Sequence, residues 1–267
     1  MNAIYISIDR NYERYARACF NSIERNYPKH PIVLVHADDL SDEFTRYVST
    51  LNNFTIVNPP KGGSYKNLGP VNNPIVYNKY KLWSSVFCEY DSILHLDADT
   101  LVLKPLDRLF EEEFFIVDDC SKLTLQTILR PNEEAQQLLK DNNIDIDVFN
   151  QPTMANAGVF VISRKYRNKT QFNSLLELTK QFENHLNYAD QSAISLWCYK
   201  NKIPISSRLS YNYQSPFFKD AEKNRSLDSI SVLHFTAKKP DTINFLLWCA
   251  MEPDMSKILV SLYNEYK

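Results

Sequence analysis

The feature that most restricts the folds open to this chain is an apolar run, Ile93 to Leu96, that stops at Asp97-Ala98-Asp99 before a second apolar run, Leu101 to Leu103. A short apolar stretch with polar residues at its end reads as a buried strand, so two carboxylates stand at the exit of a core strand. In an extended chain the side chains at i and i+2 share a face, which aims both acids at one point while Ala98 turns away. Carboxylates held this close repel, and burial makes each harder to ionise. A divalent cation or a strong cationic partner relieves both costs. Oxygen donors suit Mn²⁺ or Mg²⁺, ions that keep positions open for substrate phosphates. Alone, such a DxD is most often a solvated acidic turn, and the odds change only with what surrounds it.

The surrounding chain alternates strands and helices. Ala3 to Ile8 is an apolar strand ending at Asp9, Tyr12 to Asn26 is a helical pattern stopped by Pro28, and Pro31 to His36 is a strand running into Ala37-Asp38-Asp39. Asp42 to Leu51 is a helix with Ser41 as its cap, and Phe54 to Val57 is a third strand. This alternation predicts an α/β fold with a central, mostly parallel sheet flanked by helices. Such sheets bind ligands outside the carboxyl ends of their strands, where Asp9, Asp38 and Asp97 fall. The four glycines, Gly62, Gly63, Gly69 and Gly158, build neither GxGxxG nor a phosphate loop, so any nucleotide is held in another way.

Asn58 to Pro74 collects three of those glycines with prolines and asparagines and predicts a loop exposing Lys61 and Lys66. Ile75 to Cys88 has helical spacing in Tyr77, Tyr80, Trp83 and Phe87 and carries Lys79 and Lys81, either of which would suit a diphosphate. Val159 to Ile162 reads as a buried strand with Asn156-Ala157-Gly158 as its lead-in, an amide beside a permissive backbone. Asp190-Gln191 opens a helix, where an acid is most often an N-cap. Ile230 to Phe235 is a strand ending in His234, with Lys238 and Lys239 just beyond.

The 267 residues fit one α/β domain, and a net charge of -2 from 30 basic and 32 acidic residues offers no field to gather nucleic acid. Five scattered cysteines with no CxxC pair predict reduced core thiols, and the absence of a signal segment or of about 20 consecutive apolar residues predicts a cytoplasmic protein with no transmembrane span.

Taken in order, LDADTLVLKPLDRLF, NAGVFVIS, ADQSAIS, RLSYNY and LHFTAKKP resemble a GT-A fold (Rossmann-like) glycosyltransferase of family 8, the glycogenin and lipopolysaccharide galactosyltransferase group. The resemblance covers nearly the whole chain. It implies a single domain, with residues 1–105 as a nucleotide-binding half ending in DxD and 106–267 as the sugar and acceptor half. It further implies a retaining enzyme that moves glucose or galactose from a UDP-sugar to a hydroxyl of a glycan, a lipid-linked sugar or a protein. By this resemblance Asp97, Asp99 and His234 bind Mn²⁺ or Mg²⁺. Ser7, Ile8, Asp9 and Tyr12 form the uridine pocket, and Lys81, Ala98, Gly158 and Lys239 contact the donor. Asn156, Asp190 and Gln191 line the sugar. Where family members read HFxGxxKPW, this chain has Ala237, one residue fewer before Lys-Pro, and Asp241. A homodimer stays open. Two other classes compete: a metal-dependent nucleotidyltransferase, disfavoured because IYISIDRNYERYA holds no glycine, and a silent carbohydrate-binding GT-A relative, disfavoured by the intact metal residues. A hydrolase using Asp97 and Asp99 fails because glycosidase carboxyls stand roughly 5 Å or more apart across the scissile bond, on separate elements.

Overall fold

β-Branched and aromatic residues dominate Ala3–Ile8 and Ile32–His36, and both are strands, β1 and β2, buried almost throughout as strands of a parallel sheet must be. The computed structural model describes residues 1–36, 40–57, 74–119, 124, 129, 132–145, 154–214, 229–236 and 253–267. β3 (Phe54–Val57), β4 (Ser92–Leu96), β6 (Phe114–Asp118) and β7 (Ala155–Ser163) complete a six-stranded sheet in the order β3-β2-β1-β4-β7-β6. β1 pairs in parallel with β2 and β4, and β2 with β3, while β7 runs antiparallel to both β4 and β6. A second sheet of three short strands has the order β5-β9-β8, from Thr100–Val102, Val232–His234 and Tyr213–Gln214.

Strand alternation sends successive side chains to opposite faces of the main sheet. Ile4, Ile6, Leu34, Leu94 and Val161 meet α1 (Glu13–Asn26) and α2 (Asp42–Ser49) through Phe20, Ile23, Phe44 and Val48. Tyr5, Val33, Val35, Ile93 and Phe160 go the other way, to Trp83 and to Leu175, Leu178 and Trp197 of two later helices, α4 (Lys169–Gln181) and α5 (Ala189–Lys200). α3 (Glu133–Asp141) is capped by Asn132, whose side chain accepts from Ala135 N. α6 (Pro253–Tyr266) lies along α1, where Asn21 donates to the Tyr266 carbonyl. Ser41 caps α2 as expected, accepting from Phe44 N. Among the described residues no helix is long and apolar enough to cross a membrane.

Two expectations change. The segment expected as an α-helix over Ile75 to Cys88 is two 3₁₀ helices, Pro74–Trp83 and Ser85–Phe87. Tyr77, Tyr80 and Trp83 recur every three residues, and at three residues per turn they stack on one buried face. Asn156 and Gly158 lie inside β7 rather than before it. Opposite them β6 slips register, pairing Ile116 with Phe160 but Val117 with Asn156, so Ala157, Gly158 and Val159 bulge away from β6. The expected loop with Lys61 and Lys66 falls on 58–73, outside the described residues.

Candidate active site

The chain leaves the main sheet at Leu96 and enters the second sheet at Thr100, and the acids occupy the turn between. Thr100 closes it, its N–H and its hydroxyl both donating to the Asp97 carbonyl at 3.2 and 2.8 Å. The backbone here is a turn and not the extended chain that the i, i+2 spacing predicts. The acids converge instead because the chain folds back to change sheets. Ala98, within the turn, is buried. In the second sheet Thr100 pairs with His234, and Phe235 N donates to the Asp99 carbonyl at 2.9 Å. Pairing β5 with β9 thus delivers a histidine from far along the chain. Ligand atoms of Asp97, Asp99 and His234 all lie within 4.8 Å of one another. His234 Nε2 is 3.4 Å from Asp99 Oδ1 and 3.8 Å from Asp97 Oδ2. Asp99 and His234 are buried, while the Asp97 side chain keeps 31% exposure.

A hydrogen-bond chain behind the triad sets the histidine tautomer. The Asp119 carboxylate only accepts, so Asn156 presents its Nδ2 to it (2.9 Å) and turns its Oδ1 towards Asn212 Nδ2 (2.9 Å). Asn212 Oδ1 then faces His234 Nδ1 at 2.9 Å. The proton sits on Nδ1, and the Nε2 lone pair is left for a metal. Two carboxylate oxygens and an imidazole nitrogen, already gathered, fit a divalent cation.

Gly158 seats this histidine. A Cβ added there would lie 2.1 Å from His234 Cε1, 2.6 Å from its Nδ1 and 3.0 Å from Asn156 Oδ1. Its carbonyl also accepts from Asp97 N at 2.8 Å. Gly158→Ala is therefore expected to push the imidazole off the triad and weaken Mn²⁺ binding by about tenfold or more, as measured by metal titration of the folded variant. Unchanged affinity would mean that His234 tolerates displacement.

Of the two candidate lysines, Lys79 reaches the site. Its Nζ lies 3.2 Å from Asp97 Oδ1, 2.9 Å from Asp190 Oδ2 and 3.2 Å from the Ala157 carbonyl oxygen. Burial alone would lower its pKa, but the charges of Asp190 and Asp97 outweigh burial and hold the ammonium above the usual lysine range. Burial would likewise raise the Asp97 carboxyl, yet Lys79 and a hydrogen bond from His95 keep it well below the carboxylate range. Lys81, expected from the resemblance to touch the donor, is buried with no ion pair or hydrogen bond to its ammonium among the described residues, and burial lowers its pKa. In a 3₁₀ helix residues two apart point in different directions, so both lysines cannot face the acids.

Asp190 is the second residue of α5, and Tyr188 occupies the cap without a side-chain bond. The simple capping role is therefore not what Asp190 does. Ala189 enters the helix with φ of 36°, a left-handed backbone that a side chain adopts at some cost. Gln191 Nε2 donates to Asp119 Oδ2 at 3.1 Å. At the exit of β1, Asp9 accepts from Asn11 N at 2.9 Å and Tyr12 meets Tyr15 edge-on. Ser7 is half-buried, and the Ile8 side chain belongs to the core. β1 and β4 are parallel neighbours, so Asp9 and Asp97 leave the sheet at one edge. Lys239 lies outside the described residues.

Asp119, Asn212 and His95 were not anticipated as site residues. Asp119 carried a readable signal, an acid at a strand exit, as at Asp9 and Asp97, and Asn212 lies in the RLSYNY block of the family resemblance.

Residues 3–240 match the model of glycosyl transferase family 8. Among solved structures, the galactosyltransferase LgtC in complex with donor and acceptor sugar analogs aligns with a TM-score of 0.67 at 19% identity, covering 96% of this chain and 95% of that one. Apo GlyE from Streptococcus pneumoniae TIGR4 gives 0.63 at 19% identity, covering 99% and 62%. The bifunctional glycosyltransferase WbbM gives 0.65 at 19% identity over 89% of this chain, which spans only 46% of WbbM. The shared fold is GT-A. No curated protein sequence matches.

Proposed function

The chain belongs to glycosyl transferase family 8, and from that premise we propose that it transfers glucose or galactose from a UDP-sugar to a hydroxyl acceptor, with retention at the anomeric carbon and a divalent cation. The observation that carries this reading is the gathering of Asp97, Asp99 and His234 within 4.8 Å, beside a lysine that bridges Asp97 and Asp190. Those three residues would hold the cation. The imidazole nitrogen tilts the set from Mg²⁺ towards a transition ion such as Mn²⁺. A cation held there would supply positive charge against the negative charge gathering on the departing diphosphate.

The remaining roles belong to the chain's own groups. Lys79 holds Asp190 in place, its Nζ 2.9 Å from Oδ2, so that the carboxylate accepts from sugar hydroxyls. Asp119 takes the amide nitrogen of Gln191, which leaves the amide oxygen for the reacting face of the sugar. Asn156 and Gly158 floor the donor sugar, Ala98 lies under the diphosphate, and Lys239 adds a phosphate contact. Ser7, Ile8, Asp9 and Tyr12 take the uridine, with Ile8 contributing backbone only. The donor site then spans residues 1–105 and 106–267 of one cytoplasmic domain, because the triad draws on both parts. LgtC is a galactosyltransferase bound to donor and acceptor sugar analogs, which supports a sugar hydroxyl as the acceptor, ahead of a lipid-linked sugar or a protein. A silent relative would have no use for an intact triad.

UDP release from UDP-glucose and UDP-galactose, with Mn²⁺ or with EDTA, tests the reading. One donor is expected to turn over slowly even without acceptor, and EDTA is expected to stop it. If no UDP-sugar is hydrolysed and none raises the melting temperature with Mn²⁺ present, the proposal fails.

A further inference from the structure

His95 stands on β4 two residues before Asp97, wholly buried, with its ring 4.8 Å from Phe160 and 5.9 Å from Tyr5 between centroids. A slot of this kind is filled at lower cost by a purely apolar ring, because imidazole buries two polar nitrogens. One of them, Nδ1, has no hydrogen-bond partner among the described residues. What the histidine gains is a single bond, from Nε2–H to Asp97 Oδ1 at 2.9 Å. The same oxygen accepts from Lys79 Nζ at 3.2 Å. With both donors on Oδ1, the other oxygen, Oδ2, is left to face Asp99 and His234.

We infer that His95 is a positioning residue of the metal centre: through its Nε2–H it fixes the Asp97 carboxylate so that Oδ2 is the oxygen presented to a cation. The inference rests on the metal-dependent reading above. Lys79 cannot hold this geometry alone. Its ammonium is divided among Asp97 Oδ1, Asp190 Oδ2 at 2.9 Å and the Ala157 carbonyl oxygen at 3.2 Å, and it approaches Asp97 at only 3.2 Å. The imidazole is locked by its aromatic neighbours and bonds to no other acceptor among the described residues. It therefore keeps a partly exposed carboxylate in one rotamer before any ligand arrives, the outer-shell service that metal ligands ordinarily receive.

Two variants of the full chain separate the N–H from the ring. His95→Phe keeps an aromatic body and removes the donor, whereas His95→Gln sets an amide N–H near the place of Nε2 and removes the ring. The readout is the Mn²⁺ dissociation constant, from the electron paramagnetic resonance signal of free Mn²⁺ without nucleotide, alongside melting without metal. His95→Phe is expected to melt near the parent yet bind Mn²⁺ about 10–100-fold more weakly. His95→Gln is expected to melt lower and hold its affinity within about threefold, since the outer-shell bond is restored. The role is overturned if His95→Phe binds like the parent, or if His95→Gln loses as much affinity as His95→Phe. An Asp99→Ala control separates the two levels. Parent binding that the control abolishes and His95→Phe leaves intact removes the positioning role alone, and a parent that binds no Mn²⁺ removes the metal-dependent reading with it.

Discussion

Asp99→Ala is expected to end cation-dependent UDP release, lowering turnover by about a thousandfold or more, because the charge of the leaving diphosphate then loses the electrostatic stabilisation that a fixed cation supplies. Asp99 has little freedom to be replaced by a neighbour. Its side chain is only 3% exposed and its oxygen lies 3.4 Å from His234 Nε2. The turn that holds it is closed by backbone bonds from Thr100 and Phe235, which alanine leaves in place. The variant should therefore fold, as circular dichroism and melting without metal would show, while Mn²⁺ titration and UDP release both fall to background. Cation-dependent turnover within tenfold of the parent, in a folded Asp99→Ala, would take this residue out of the metal site.

Lys79→Met carries the largest expected loss of stability. Its ammonium is the shared partner of Asp97 and Asp190 in a buried position, and removing one member of a buried charge cluster typically costs about 3–5 kcal/mol because the survivors remain desolvated. Urea unfolding at pH 7 without metal measures this. The acid limb of the stability curve should change as well. Asp97 titrates in the folded chain below its unfolded value, so its contribution is fully present above the unfolded carboxyl pKa of about 4 and is lost as pH falls towards the folded value. Without Lys79 that depression shrinks, and stability should fall less steeply in acid. Added Mn²⁺ should restore part of the loss by binding the folded state. A variant as stable as the parent at pH 7, with the same acid slope, would contradict the bridging role.

The parts of the site that could be read from the chain are those whose signal is local. The DxD after Ile93–Leu96, the acid at the end of Ala3–Ile8 and the Asp190-Gln191 helix start each follow from hydrophobic runs and their ends, and each lies where those runs put it. The roles of His234 and of Asn156-Ala157-Gly158 came from family resemblance. Geometry then gave Gly158 a further task, because only the bulge of β7 shows that a histidine ring rests on it. Asn212 lies in the RLSYNY block of the resemblance, but nothing local assigned it a contact, and His95 has no sequence pattern to mark it.

By itself the sequence determined the alternating α/β order, the strand that carries the acids, and the residue types that meet at its exit, since periodicity and turn chemistry act over a few neighbouring residues. Tertiary structure decided which side chains point together. Packing of Tyr77, Tyr80 and Trp83 tightened a helix to three residues per turn and selected Lys79 over Lys81. The change of sheet at Asp97–Asp99 turned an extended pair into a turn, and pairing of β5 with β9 brought His234 to it. Direction and long-range register are set by the shape of the core against which each segment packs, a property that no single stretch of the chain contains.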